Sequence, residues 1–281
     1  MLTQQLPQTF TDSINLDAYL QRIGYRGERT PTLQTLEAIH YSHTQAIAFE
    51  NLSPLFRQPV LLDLISLQKK LIEEGRGGYC FEQNSLFRSV LIDLGFQVSS
   101  LGARVLWGVP EGVITPRSHM VLIVHIDHEP YIADVGFGGL TLTTPIRLTP
   151  ETQQPTSHEL FRLIKTKDSY IMQAHFAQKW QSLYQFDLQP QYPPDYEVSN
   201  WYISTHPKSL FVNSLIAARP DTDRRYALRD NRFSIHPLNN GKTEHHMLTT
   251  AQELCSVLTR EFRLQLPTNI DLEGMLQRFV D

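Results

Sequence analysis

The chain of 281 residues is poor in cysteine, has no long apolar run and carries no basic block, and each shortage excludes a class of protein. Its two cysteines, Cys80 and Cys255, are too few for a disulfide scaffold or a cysteine-rich zinc site, and neither belongs to a CxxC pair. The longest uninterrupted apolar run, Met120 to Val124, spans five residues, against the roughly 20 that a membrane helix needs. No Lys or Arg precedes Arg22, and 25 basic against 29 acidic residues leave a formal charge of −4. That balance argues against nucleic acid as a partner, because phosphate neutralisation needs a positive surface. The first residues lack the basic and apolar regions of a signal or transit peptide, so a cytoplasmic protein without a membrane partner is expected. In that compartment the two thiols are expected to stay free. What is present is an ordinary globular composition, 41% apolar and 19% charged, long enough for a core that needs no staples.

The order of elements is helical, then β, then mixed. Asp12 is read as the cap of a helix carrying Leu16, Tyr19, Leu20 and Ile23, and Thr30-Pro31 as the start of a second with Leu33, Leu36, Ile39 and His40 on one face. A third runs from Asp63 to Gly75, and a fourth from Cys80 through Leu86, Phe87, Val90, Leu91 and Leu94. After Gly95 the periodicity changes to short Val/Ile-rich strands at 97–107, 120–126, 131–135, 161–164, 170–173 and 183–186, which fit an antiparallel sheet or small barrel. Leu188 to Glu197, with its prolines, reads as a linker. A helix near 207–218, two strand-like pieces and two amphipathic helices follow. The expected organisation is a helical unit over 1–94 that carries the nucleophile, a β unit over 95–190 that carries His and Asp, and a linker with an α/β unit over 191–281. No signal for an oligomeric state was found in the chain.

Chemistry concentrates at three places. In Arg76-Gly77-Gly78-Tyr79-Cys80, two glycines permit a tight turn and the cysteine lands at a helix start. There it meets unpaired backbone N–H groups and the positive end of the helix dipole, which favour the thiolate and can receive an oxyanion. The alternative for Cys80 is a small buried hydrophobe. Cys255 stands mid-helix with Leu258 and Phe262 and reads as core. His119 enters an apolar strand from a loop, where the ring can point into a cleft while the sheet holds its backbone. Asp134 interrupts another apolar strand and must find a partner there or become neutral. His40 with His43, and His245 with His246, lack further ligands, so no metal is expected. The glycines of Gly136-Phe137-Gly138-Gly139 either form a plain turn or bring backbone N–H groups to a cofactor pyrophosphate, which makes Gly136, Gly138 and Gly139 candidate cofactor contacts.

Together, Arg76-Gly77-Gly78-Tyr79-Cys80, Ser118-His119 and Asp134-Val135-Gly136-Phe137-Gly138-Gly139 resemble the arylamine N-acetyltransferase family. Tyr19 to Gly24, Ala48-Phe49-Glu50-Asn51-Leu52 and Ser204-Thr205-His206-Pro207 extend the resemblance in the same order. Two departures are visible: Ala48 stands where a proline is usual and Ser118 where a threonine is common. The resemblance implies an α+β multidomain fold, with an N-terminal helical bundle, a central antiparallel β-barrel and a C-terminal α/β lid. It implies a cysteine-protease-like Cys-His-Asp site on Cys80, His119 and Asp134. It further implies acetyl-CoA as a co-substrate with no tightly bound cofactor, an aromatic amine or hydrazine as acceptor, and a ping-pong reaction through an acetyl-cysteine. Phe49, Phe137 and Phe211 are the expected lining of the acceptor pocket, and Glu50 and Arg76 are expected to pair beneath the Cys80 loop. Rival readings keep the triad in an amide synthase or acyl hydrolase with another donor, or make Cys80 a packed thiol of an interaction protein.

Overall fold

A computed structural model describes residues 13–110, 112–238, 241–268 and 270–280. Eight strands form one antiparallel sheet in the order Ile146–Arg147, Glu129–Ala133, Arg117–Ile126, Gln97–Val105, Lys179–Pro190, Tyr170–Phe176, Leu160–Lys165 and Gln154–Pro155. The sheet curls into a nearly closed barrel. The Gln154 side chain bridges its two edges by accepting from the Arg147 N–H at 2.8 Å and donating to the Arg147 carbonyl at 2.9 Å. That bridge blunts edges that would otherwise expose unpaired backbone.

Within strand Arg117–Ile126 the run Met120 to Val124 is apolar without a break because it serves two cores. Met120, Leu122, Val124 and Ile126 pack with the helical segment, whereas Val121 and Ile123 fill the barrel interior with Leu101, Ile132, Leu163 and Tyr184. Successive side chains of a strand point to opposite faces, so a strand between two cores is apolar at every position. The helical core is built by Leu20, Leu36, Ile39, Leu67 and Leu71 around Leu86, Phe87, Val90 and Leu91 of helix Cys80–Asp93.

The third core belongs to a five-stranded antiparallel sheet, ordered Phe49–Glu50, Ile216–Pro220, Arg224–Arg229, Arg232–Pro237 and Glu244–Met247. Helices Ala251–Arg260 and Leu272–Gln277 cover one face through Leu254, Leu258, Phe262, Leu272 and Leu276. Thr250 and Glu253 start the first of these with a reciprocal capping box.

Several elements differ from the sequence reading. Asp12 lies outside the described residues; the first helix, Leu16–Arg22, is capped by Asn15. The second, Leu33–Ala46, is capped by Thr32, whose side chain accepts from Thr35 N–H at 3.2 Å, and Pro31 stands just outside it. The expected linker is not one: strand Lys179–Pro190 runs into it, and helix Pro193–Thr205 begins within it. Two of its three prolines, Pro193 and Pro194, occupy the first helical positions, where a missing N–H costs nothing. The expected helix at 207–218 is a single turn, Leu210–Asn213, before strand Ile216–Pro220. Finally, Phe49–Glu50 is a strand of the C-terminal sheet, paired with Ala218 and Ala217, and Ala48, Leu52, Leu55 and Phe56 belong to that sheet's core.

Three buried polar ties lock these layers. Asn51 donates to the Phe211 and Ser214 carbonyls and accepts from Ile216 N–H, each within 2.8 Å. Arg225 forks onto Glu159 with contacts of 2.7 and 2.5 Å, joining the C-terminal sheet to the barrel. Arg76 reaches Glu50 at 2.7 Å beneath the Gly77-Gly78 turn, while the second Glu50 oxygen accepts the Leu52 N–H. Burial opposes ionisation of Glu50, but the charges of Arg76 and Lys70 outweigh it and hold its carboxyl below the ordinary range. Removing one partner of a buried pair strands the other charge out of water. The Arg76→Met variant should therefore lose about 3–5 kcal/mol of unfolding free energy in urea titration; wild-type stability would contradict the assigned role.

Candidate active site

Cys80 occupies the first position of helix Cys80–Asp93. The approach is fixed by close packing: Gly78 N–H donates to the Ala48 carbonyl at 3.3 Å, and a Cβ on Gly77 would sit 2.2 Å from that same oxygen. Glu82, three residues into the helix, accepts the Tyr79 N–H at 3.1 Å and the Lys70 ammonium at 2.6 Å. Gly77 is therefore demanded by backbone contact, and the turn delivers the thiol with the helix N-terminus behind it. Cys80 Sγ lies 3.6 Å from the Ser118 carbonyl, and Cys80 is among the groups that raise the pKa of His119.

His119 projects from the third position of its strand before the run Met120 to Val124, on the side that faces the barrel interior. Its Nε2 meets Asp134 Oδ2 at 2.7 Å, and both side chains are buried. The ring is held between Tyr184 and Phe137, with centroid distances of 4.9 and 5.3 Å. Burial alone would lower the His119 pKa, but the facing Asp134 charge and its hydrogen bond, with Cys80 adding to both, raise it to about 10. The imidazolium is thus the resting form near neutral pH.

Asp134 is fully buried yet completely satisfied. Its Oδ1 accepts from Asn84 Nδ2 and from Gly136 N–H, each at 2.9 Å. Burial opposes ionisation, but the His119 charge and these hydrogen bonds outweigh it and keep the carboxyl below its ordinary value. Its own backbone N–H donates to His40 Nε2 at 3.2 Å, which fixes that ring in the neutral state; burial lowers the His40 pKa to about 4. His43 bonds Tyr19 and Gln83 instead, at 2.8 and 3.1 Å, so the two helical histidines serve separate hydrogen-bond networks.

A cavity of about 430 Å³ opens between the barrel and the C-terminal sheet. Phe49, Cys80, His119, Gly136, Phe137, Gly138, Gly139 and Phe211 all line it, and Asp134 lies behind His119. The three expected phenylalanines are therefore brought together; Phe49 and Phe211 touch at 5.9 Å between centroids. The glycines have separate reasons to be glycine. A Cβ on Gly136 would lie 2.8 Å from Cys80 Cα, and Gly138 has φ +90°. The Gly136 N–H is committed to Asp134, so it is not available to a pyrophosphate, whereas Gly139 borders open space.

The sequence reading gave Asn84 no role, although it lies one helical turn from Cys80 on the same face. Its amide is fully used: it donates to Asp134 and to the Met120 carbonyl and accepts from Val135 N–H. Trp107, in the turn after strand Gln97–Val105, and Tyr184, in strand Lys179–Pro190, were also missed; nothing local in the sequence sets them apart. Cys255 is half-buried against the C-terminal core, where burial and then Glu273 hold its thiol above the ordinary pKa.

The linkage sign follows from these shifts. A histidine raised from 6.5 to about 10 contributes stability that is complete below pH 6.5 and is lost as pH rises through about 10. In histidine-selective NMR, His119 should remain doubly protonated at pH 8. Asp134→Asn should move its titration downward and abolish this part of the alkaline stability loss. A His119 that titrates near 6.5 in the wild type would contradict the ion pair.

Residues 32–270 match the family described as N-acetyltransferase. An arylamine N-acetyltransferase of Mycolicibacterium smegmatis is 41% identical over 258 residues, covering 90% of this chain and 93% of the relative. One from Escherichia coli is 39% identical over 249 residues, covering 89% and 88%. The solved structure of Mycobacterium marinum arylamine N-acetyltransferase in complex with CoA superposes with a TM-score of 0.90 at 39% identity, covering 95% of this chain and 98% of that one. With its sequence and its fold both aligned over most of their length, this chain belongs to the arylamine N-acetyltransferase family of acyltransferases.

Proposed function

We propose that the protein transfers the acetyl group of acetyl-CoA to arylamines, arylhydrazines or hydrazides through an acetyl-Cys80 intermediate, with Cys80, His119 and Asp134 as the catalytic groups. The observation that carries this reading is a helix-terminal thiol lining the same cavity as a histidine whose Nε2 is held at 2.7 Å by a buried carboxylate.

In this scheme the resting site holds Cys80 as thiolate beside the His119 imidazolium. Asp134 on Nε2 leaves Nδ1 for the reacting groups. The Cys80 sulfur attacks the thioester carbonyl carbon, and the developing oxyanion is met by the Cys80 N–H, which has no acceptor within the helix. Collapse breaks the carbon–sulfur bond to CoA, and His119 Nδ1 protonates the departing thiolate. Acetyl-Cys80 and neutral His119 remain. The neutral amine then attacks the acetyl carbon, His119 Nδ1 takes its proton, and expulsion of the Cys80 thiolate restores the starting ion pair.

Acceptor choice follows from the same surroundings. Aromatic amines and hydrazines are weak bases and reach the site unprotonated near pH 7. Phe49, Phe137 and Phe211 offer ring contacts, and an apolar wall limits the water that would hydrolyse the acetyl-enzyme. A hydrolase or amide synthase using another donor would need the same triad, so the donor decides between them.

Intact-mass and peptide mapping after incubation with acetyl-CoA alone should locate one acetyl group on Cys80. That group should be discharged by an aromatic amine and be absent in Cys80→Ala. No modification and no CoA release would overturn the donor assignment.

A further inference from the structure

Helix Pro193–Thr205 is docked on the molecule along one face, through the buried residues Tyr196, Asn200, Ile203 and Ser204. Asn200 donates to the Val60 carbonyl at 2.9 Å and accepts from the Tyr79 hydroxyl. Ser199 donates to the Arg117 carbonyl at 3.2 Å. These bonds tie the helix to the helical unit and to the barrel, so its outer face is held in a fixed orientation.

That outer face is apolar where a solvated helix would be polar. Val198 is 71% exposed, Trp201 67% and Tyr202 43%. With Thr205, also exposed, they recur at i, i+3, i+4 and i+7, which places them on one stripe. The Tyr202 ring is already ordered, because it stacks on His206 with centroids 4.5 Å apart. A contiguous stripe of Trp, Tyr and Val on a fixed helix has the composition of a protein interface.

The charges around the stripe say what fits it. Asp195 and Glu197 lie in the first half of the helix, and both are exposed. Pro193–Thr205 contains no Lys or Arg, and the first basic residue beyond it is the exposed Lys208. Asp195 accepts the Tyr192 N–H at 2.8 Å with one oxygen. Glu197 makes no ion pair and no side-chain hydrogen bond with described residues, and Lys208 is bonded only through its backbone N–H, which donates to His206 Nδ1 at 3.2 Å. The face is therefore acidic at one end, basic at the other and apolar between. Such a surface complements itself when turned end for end, and the antiparallel pairing also sets opposite helix-dipole ends side by side.

We propose that this face is the two-fold interface of a homodimer, with helix Pro193–Thr205 packed antiparallel on the same helix of a second copy. In the register centred between Trp201 and Tyr202, Trp201 meets the partner's Tyr202 and Val198 meets the partner's Thr205. Glu197 then lies at the end where the partner's Lys208 arrives. Each contact is made twice by symmetry. The inference is independent of the acetyl-transfer reading.

Sedimentation velocity of the wild type up to about 100 µM should show concentration-dependent exchange between monomer and dimer. Trp201→Arg should weaken association by at least about a hundredfold, because a central aromatic anchor is lost twice. Glu197→Lys and Lys208→Glu should each weaken it by about tenfold, since like charges then face each other at both ends. The double exchange Glu197→Lys/Lys208→Glu restores opposite charges and should return association to the wild-type strength. All of these side chains are exposed, so every variant should keep the wild-type circular dichroism spectrum.

A wild type that stays monomeric at about 100 µM would overturn the proposal and leave the stripe to a different protein or to a membrane surface. A dimer that survives Trp201→Arg would place the interface elsewhere and overturn it equally. Loss of the dimer in Glu197→Lys without recovery in the double exchange would overturn the antiparallel arrangement, and the proposal with it.

Discussion

Asp134 is a carboxylate taken wholly out of water, and the surrounding elements are arranged to keep it charged. An isolated buried carboxylate would become neutral, because desolvation costs far more than a proton. Here one oxygen is occupied by Asn84 and Gly136 and the other by His119. Those partners come from a helix, a loop and a strand. The backbone of the same residue reaches a fourth element through His40. The Asp134 charge that these contacts preserve is what raises the pKa of His119.

The remaining buried ion pairs hold the frame in which that network works. Glu50–Arg76 fixes the turn that presents Cys80, and Arg225–Glu159 fixes the C-terminal sheet against the barrel. Such pairs contribute little net stability against a well-packed apolar substitute, but breaking them is expensive and leaves few alternative arrangements. Segment 49–51 joins all three layers: Phe49 lines the cavity, Glu50 holds the turn, and Asn51 is hydrogen-bonded to the chain at 211–216. The cavity is thus a seam between units, with Cys80 and His119 among its lining.

The positions most legible in the sequence were those that break a local pattern. A thiol after two glycines, a histidine at the mouth of an apolar run and a carboxylate inside one each conflict with simple packing, and the structure brings them together. Asn84 was not legible because a helical asparagine signals nothing until Asp134, fifty residues away and just past strand Glu129–Ala133, is placed against it. Tyr184 looks like any alternating barrel residue until His119 is placed against it. Strand Phe49–Glu50 is too short to show a period, and its partner lies far along the chain. Pro193 and Pro194 read as a linker because prolines are punctuation in most settings, yet the first turn of a helix accepts them.

The central claim is that Asp134 charges His119 and His119 activates Cys80. Its most direct test is the rate of iodoacetamide alkylation at pH 6, followed separately for Cys80 and Cys255 by peptide mapping. The account predicts that Cys80 reacts at least about tenfold faster than Cys255, as a thiolate does relative to a thiol, and that Asp134→Asn removes the excess in a protein that still folds. Equal rates at the two cysteines, or a fast Cys80 indifferent to Asp134→Asn, would contradict it.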